Sequence, residues 1–216
     1  MKIQSWVFDL DNTLYPASCR LFDAVSRRIG LFIEEMLALG PEEARRLQKV
    51  YFKEHGTTLR GLMIHHAVDP HEYLEFVHTI DLTDLCADRE LGQALENLPG
   101  RKYIFTNASV NHARWVLSRL GIHDHFETIF DIHAAGYIPK PEIDTYAAFL
   151  AKTGIDPHTA LYADDMPINL KPAAQRGMTT LWVKTDLDWA QSDGEEDHIH
   201  HRTENLTQWL RSLHDN

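Results

Sequence analysis

Cysteine is scarce in this chain. Only Cys19 and Cys86 occur among 216 residues, with no metal-type spacing. A disulfide scaffold is therefore not expected, and a reducing, cytoplasmic setting is the default. Positive charge is also in short supply: 21 Lys and Arg stand against 32 Asp and Glu, a formal net charge of −11. A nucleic-acid polymer needs a basic patch, so such a partner is not expected. A small anionic substrate stays compatible, because local cations decide its binding. Long apolar runs are missing, and the start Met-Lys-Ile-Gln-Ser-Trp leads straight into a predicted strand. Neither a signal peptide nor a membrane span is expected. There is no internal repeat and no low-complexity tract. The remainder, 44% hydrophobic and 25% charged, is that of a globular chain, one domain with an elaboration or a core plus a smaller lobe.

The stretch from Val7 to Tyr15 reads Val-Phe-Asp-Leu-Asp-Asn-Thr-Leu-Tyr. Trp6, Val7 and Phe8 predict a short buried strand. Asp9 and Asp11 follow, one residue apart, and then Thr13. Two carboxylates at the end of a buried strand repel each other, and desolvation disfavours both charges. A divalent cation with a taste for hard oxygen ligands, such as Mg²⁺, removes that penalty. One Asp could then act as nucleophile while the other handles a proton. The plainer reading is a strand ending in an Asx-type turn.

The rest of the chain falls into two patterns. Leu21, Phe22, Val25, Ile29, Phe32, Ile33, Met36 and Leu37 recur as one face of a long helix. Gly40-Pro41-Glu42-Glu43 reads as a stop and restart, and Gly56-Thr57-Thr58 breaks the chain again before Leu59, Leu62 and Met63. Asp69-Pro70-His71-Glu72 looks like an N-cap. Residues 16–90 thus read as a module of four or five helices. From Pro99 onward, short apolar runs alternate with helices: 103–105, 128–131, 160–163 and 179–183 as strands, Ser109 as the cap of the helix after the first of these, and 203–213 as a final helix. That alternation predicts βαβ units in a parallel, Rossmann-like α/β sheet, with a core of 1–15 and 91–216 and ligands at the carboxyl edge of the strands.

Three predicted strands end in polar groups at that edge: Asp9/Asp11, Thr106/Asn107 and Asp164/Asp165. Lys140 stands between two prolines ahead of the third. Each has a bland alternative: a turn at Thr106-Asn107, a solvated Lys140, a helix cap at Asp164-Asp165. Together they form a phosphoryl-transfer kit. Four carboxylates could hold one Mg²⁺; the Thr106 hydroxyl and N–H groups near Asn107 and Ala108 could cradle phosphate at a helix N-terminus. Lys140 could neutralise the transferred group.

In these ordered motifs, Asp9-Leu10-Asp11-Asn12-Thr13, Thr106, Lys140-Pro141 and Asp164-Asp165, the sequence resembles the haloacid dehalogenase-like superfamily. The resemblance implies that Asp9 forms an aspartyl-phosphate and that Asp11 protonates the leaving oxygen and then activates water. It implies Mg²⁺ held by the Asp9 carboxylate, the Asp11 backbone carbonyl and the Asp164/Asp165 pair, with Asp165 as the direct ligand. Thr106 and Lys140 then bind phosphoryl oxygens, and residues 16–90 look like the helical cap. An acid at position 11 favours phosphate-ester hydrolysis over carbon–halogen cleavage, since an alkoxide leaving group needs a proton. Phe8 to Pro16, Gly56-Thr57-Thr58-Leu59-Arg60-Gly61 and Phe105 to Ala108 look like the pyrimidine 5′-nucleotidase branch. That implies nucleoside 5′-monophosphates such as UMP or CMP, with Arg60 or Tyr51 as a base or sugar contact, or Arg60 as a plain solvated or stabilising residue.

Alternatives within the superfamily are a sugar or small-metabolite phosphatase and a phosphomutase; outside enzymes, a non-catalytic regulator that binds a nucleotide or protein. His198-Ile199-His200-His201 beside Glu195-Glu196-Asp197 reads as a mobile acidic loop more than a metal site. His65, His66 and His112 have no spacing that suggests zinc, and the tryptophans look structural.

Overall fold

In the computed structural model, which describes residues 3–191 and 196–213, the chain builds six parallel strands among those residues. Met1, Lys2 and Glu195 lie outside the described residues. The strands are β1 (Ser5–Phe8), β2 (Arg101–Phe105), β3 (Thr128–Phe130), β4 (Ala160–Asp164), β5 (Thr179–Val183) and β6 (His201–Thr203). Their order in the sheet is β3-β2-β1-β4-β5-β6. β1 is therefore central, flanked by β2 and β4, with Ser5 level with both Arg101 and Ala160. The direction of winding reverses beside β1, and in an open parallel sheet that crevice is where ligands bind.

Both faces of the sheet are apolar, as a parallel sheet requires. Trp6, Phe8, Ile104, Leu161 and Leu181 pack on one face with α5 (Arg89–Asn97), α6 (Val110–Leu120) and α9 (Leu206–Ser212). Val7, Tyr103, Phe105, Tyr162 and Trp182 face the other side, against α7 (Ile143–Thr153) and α8 (Pro167–Gln175). Period-two alternation thus sends neighbours of one strand to opposite cores.

Four further helices, α1 (Leu21–Leu37), α2 (Pro41–His55), α3 (Thr58–His66) and α4 (Pro70–His78), share a cluster of their own around Ile33, Tyr51, Leu62 and Val77. Ile132, from the loop after β3, completes it and ties this layer to the sheet. Asp69 caps α4 through the His71 and Glu72 N–H groups, and Thr57 caps α3 through the Arg60 N–H. Gly61 lets α2 and α3 close up: a Cβ there would stand 2.4 Å from the Tyr51 side chain. After α4 the chain returns to the sheet, since Leu85 and Leu91 belong to the first of the two sheet clusters.

Two expectations need correcting. The histidine tract is a loop only as far as His200: Ile199 is buried in the cluster that holds Trp182, Thr180 Oγ1 donates to the His198 carbonyl at 2.6 Å, and His201 opens β6. Pairing with β5 supplied what the local polar composition hid. The last helix accordingly starts at Leu206, capped by Asn205, because 201–203 are drawn into the sheet. Trp115 lies within α6, as expected, and is half exposed. No helix among the described residues is long and apolar enough to cross a membrane.

Candidate active site

The carboxyl ends of β1, β2 and β4 bring Asp9, Thr106, Asp164 and Asp165 together, all buried, and the loop between β3 and α7 adds Lys140. Asp9 leaves β1 with its N–H on the Ala163 carbonyl at 2.9 Å, which anchors its backbone to β4. Its Oδ1 accepts from Lys140 Nζ at 2.8 Å and its Oδ2 from Thr13 Oγ1 at 3.3 Å. Burial pushes the Asp9 carboxyl up to about 7; Lys140 opposes the rise, while Asp164 and Asp11 add to it.

Lys140 is the buried cation of the site. Its ammonium reaches Asp9, the Phe105 carbonyl at 2.9 Å, Tyr162 Oη at 2.8 Å and Asp164 Oδ2 at 2.7 Å. Burial alone would lower its pKa, but Asp164 and Asp9 outweigh that and raise it. Asp164 is saturated: Met166 N–H, Asn169 Nδ2, Lys140 and the Tyr162 hydroxyl all donate to it. Asp165 is the opposite case. Its carboxylate is buried and accepts no hydrogen bond among the described residues, while its carbonyl takes the Trp182 indole N–H at 3.0 Å. Burial, then Asp164 and Asp9, push its carboxyl well above the usual range.

Ligand oxygens of Asp9, Asp164 and Asp165 lie within 4.8 Å of one another. Three crowded carboxylates, one without any donor, fit a hard divalent cation and are costly without one. The donor set is all oxygen, which suits Mg²⁺ better than a transition metal.

Thr106 is held by its N–H on the Phe130 carbonyl, and its Oγ1 accepts the Ala108 N–H at 3.0 Å. The Asn107 side chain is committed elsewhere: it accepts the Lys140 N–H at 2.8 Å and donates to the Lys140 carbonyl at 3.2 Å. Asn107 thereby clamps the loop that delivers Lys140. The backbone N–H groups of Leu10, Asp11 and Asn107 carry no hydrogen bond among the described residues. Free amides turned out beside a buried cation are what a phosphate requires.

Asp11 is not among the three clustered carboxylates. Tyr15 Oη donates to its Oδ1 at 2.5 Å, and His112 Nε2 approaches the same oxygen at 2.9 Å. Burial works to raise the Asp11 carboxyl, yet His112 and Tyr15 together bring it below its ordinary value. Oδ2 has no hydrogen bond among the described residues. His112 has no zinc-like spacing in the sequence, but it is a ligand of a carboxylate rather than a metal, and its place three residues after the cap Ser109 was the only available signal. Tyr162 and Asn169 were also missed; they sit two residues before and five residues after Asp164, and both donate to its carboxylate.

Arg60 lies in the first turn of α3, half buried, and its guanidinium makes no hydrogen bond or ion pair among the described residues. The turn just before it lies on the Lys140 loop: a Cβ on Gly56 would stand 3.2 Å from the Pro139 side chain and 3.4 Å from the Lys140 carbonyl. Tyr51 stays within its own layer, bonded to His66 Nε2 at 2.8 Å and stacked on His65.

The family model described as "Hydrolase: haloacid dehalogenase-like hydrolase" matches residues 3–177. "Phosphate metabolism protein 8" of Saccharomyces cerevisiae is 29% identical over 187 residues, 79% of this chain. The match covers 58% of that relative's length. Among solved structures, the putative HAD-hydrolase YfnB of Bacillus subtilis, bound to magnesium, superposes with a TM-score of 0.63 at 15% identity over 99% of both chains. A HAD phosphatase from Thermococcus onnurineus gives 0.64 at 16% identity over 98% of both. At these identities the two structures speak for the fold.

Proposed function

This chain belongs to the haloacid dehalogenase-like hydrolases, and from that premise we propose that it is a Mg²⁺-dependent phosphatase acting on nucleoside 5′-monophosphates, pyrimidine nucleotides first. The observation that carries the reading is the pairing of Asp9, in the buried cluster, with Asp11, whose Oδ2 is free to hold a proton.

Asp9 attacks phosphorus. The P–O bond to the substrate breaks, and the leaving alkoxide takes its proton from Asp11. Asp11 then accepts a proton from the water that opens the aspartyl-phosphate. The hydrogen bonds on its Oδ1 favour the ionised form, which suits the second step. A bound phosphate dianion disfavours that charge and so favours the protonated form needed for the first. Lys140, the Thr106 hydroxyl and the free amides of Leu10, Asp11 and Asn107 receive the phosphoryl oxygens. Asp9, Asp165 and the Asp11 carbonyl would hold Mg²⁺, with Asp164 fixed beside them by its four donors. When bound, Mg²⁺ supplies positive charge that keeps Asp9 ionised and draws charge off the phosphoryl group.

Specificity falls to the layer of α1 to α4, acting as a cap over the site (residues 16–90). The turn at Gly56 rests on the Lys140 loop, and the uncommitted Arg60 guanidinium, one turn further, is suited to a base or sugar. The yeast relative's name points to phosphate metabolism, in keeping with this reading.

The test is phosphate release from a panel of nucleoside monophosphates and sugar phosphates, with Mg²⁺ and with chelator, and with Asp9→Asn as control. Mg²⁺-dependent release led by UMP and CMP, lost in Asp9→Asn by at least about 10⁴-fold, is the expected result. Equal release across the panel would remove the nucleotide specificity and leave a general phosphatase. No release at all would leave a phosphomutase or a binding protein.

A further inference from the structure

Two buried histidines stand behind Asp11. His112, in the first turn of α6, and His78, the last residue of α4, stack with ring centroids 4.4 Å apart and planes 21° from parallel. Ser109 joins them: its Oγ lies 2.9 Å from His78 Nδ1 and accepts the His112 N–H at 3.4 Å. Burial first, and the neighbouring His112 second, push the His78 pKa down to about 3, so this ring is a neutral platform. On its other side His112 points Nε2 at Asp11 Oδ1.

An ionised carboxylate only accepts, so the proton on His112 sits on Nε2 when Asp11 is charged. That leaves Nδ1 as the far nitrogen, and Nδ1 is buried with no hydrogen-bond partner among the described residues. A buried ring nitrogen left unpaired costs stability and calls for a reason. The reason lies in the direction of the other nitrogen. His112 and Tyr15 both engage Oδ1, which fixes the carboxylate plane and leaves Oδ2, without a hydrogen bond among the described residues, as the oxygen to exchange the proton.

We propose that His112 is the positioning residue for the acid–base group Asp11, and that His78 makes this positioning depend on the docking of α4. The proposal rests on the reading of Asp11 as proton donor. In that step the P–O bond breaks, its electron pair goes to the leaving oxygen, and the proton moves from Asp11 Oδ2 to that oxygen. Because α4 belongs to the helical layer, displacing that layer removes the platform under His112 and with it the aim of Asp11.

The experiment compares kcat/KM for UMP, an alkyl ester whose leaving group needs a proton, with that for p-nitrophenyl phosphate, whose leaving group does not. Mg²⁺ is present throughout. The ratio of the two is independent of the fraction of protein that folds, so a destabilised variant still reports. His112→Ala is expected to lower kcat/KM for UMP on the order of 10- to 100-fold and for the aryl ester under about 3-fold. His112→Gln, which returns an N–H near the Nε2 position, recovers most of the UMP loss. His78→Ala shifts the ratio in the same direction by a smaller factor. Equal losses on both esters in His112→Ala overturn the proposal. Asp11→Asn separates the two levels: if it shifts the ratio while His112→Ala does not, only the positioning role falls. If Asp11→Asn leaves the ratio unchanged, the proton-donor reading falls with it.

Discussion

At the carboxyl edge of the sheet, charge is packed tightly, three buried carboxylates around one buried ammonium; in the helical layer, the cluster is apolar and its polar pairs sit at the margins. Lys140, Asp9 and Asp164 are buried and joined by short ion pairs. Ile33, Leu62 and Val77 fill the helical cluster, and its polar residues, Tyr51 with His66 or His55 with His65, pair near the surface. The first region derives its geometry from electrostatics, which is directional and unforgiving of a missing partner. The second derives its cohesion from area, which tolerates change if volume is kept. Under the proposed function the difference has a use: the edge holds the reacting atoms still, and the layer is left to accommodate a substrate.

The sharpest way to break the contrast is Lys140→Met. It leaves Asp9 and Asp164 buried without their cation, and about 3–5 kcal/mol of stability should be lost, together with phosphatase activity, by denaturant melts and phosphate release. A loss under about 1 kcal/mol would mean that the carboxylates are protonated or hydrated rather than paired. Leu62→Ala acts on the other region. Removing a fully buried side chain there is expected to cost about 2–5 kcal/mol. Its mark on function should be a raised KM with little change in the aryl-ester kcat, because the edge is untouched. A fall in kcat matching that of Lys140→Met would show that the two regions are not separable. Arg60→Ala is the gentlest. With no side-chain partner among the described residues to lose, it should change stability by under about 0.5 kcal/mol. It should weaken hydrolysis of UMP more than that of a small generic phosphate ester; equal effects would show that Arg60 touches neither base nor sugar.

Much of the fold was readable before any coordinates, and for a physical reason. Apolar runs such as Trp6–Phe8 and caps such as Asp69, Ser109 and Gly121 are local signals, and each element they mark is present. β6 was not readable. His201–Thr203 is short and polar, and only the exposed edge of β5 draws it into the sheet. The site divides in the same way. Asp9, Thr106, Asp164 and Asp165 announce themselves as polar groups at the ends of apolar strands, and Lys140 as a lysine between two prolines. His112, His78 and Tyr162 did not, because each takes its meaning from a partner 101, 31 or 22 residues away in the chain.

By itself, the sequence determined the parallel α/β class, the order of β1 to β5 along the chain and the row of carboxylates at one edge. Hydrophobic periodicity and the right-handed crossover are enough for that. Only the tertiary structure decided which carboxylate stays without a donor, that Asn107 serves Lys140, and that two histidines from different layers stack behind Asp11. Those outcomes depend on which side chains meet across long stretches of chain, and pairings of that kind are settled by packing rather than by local pattern.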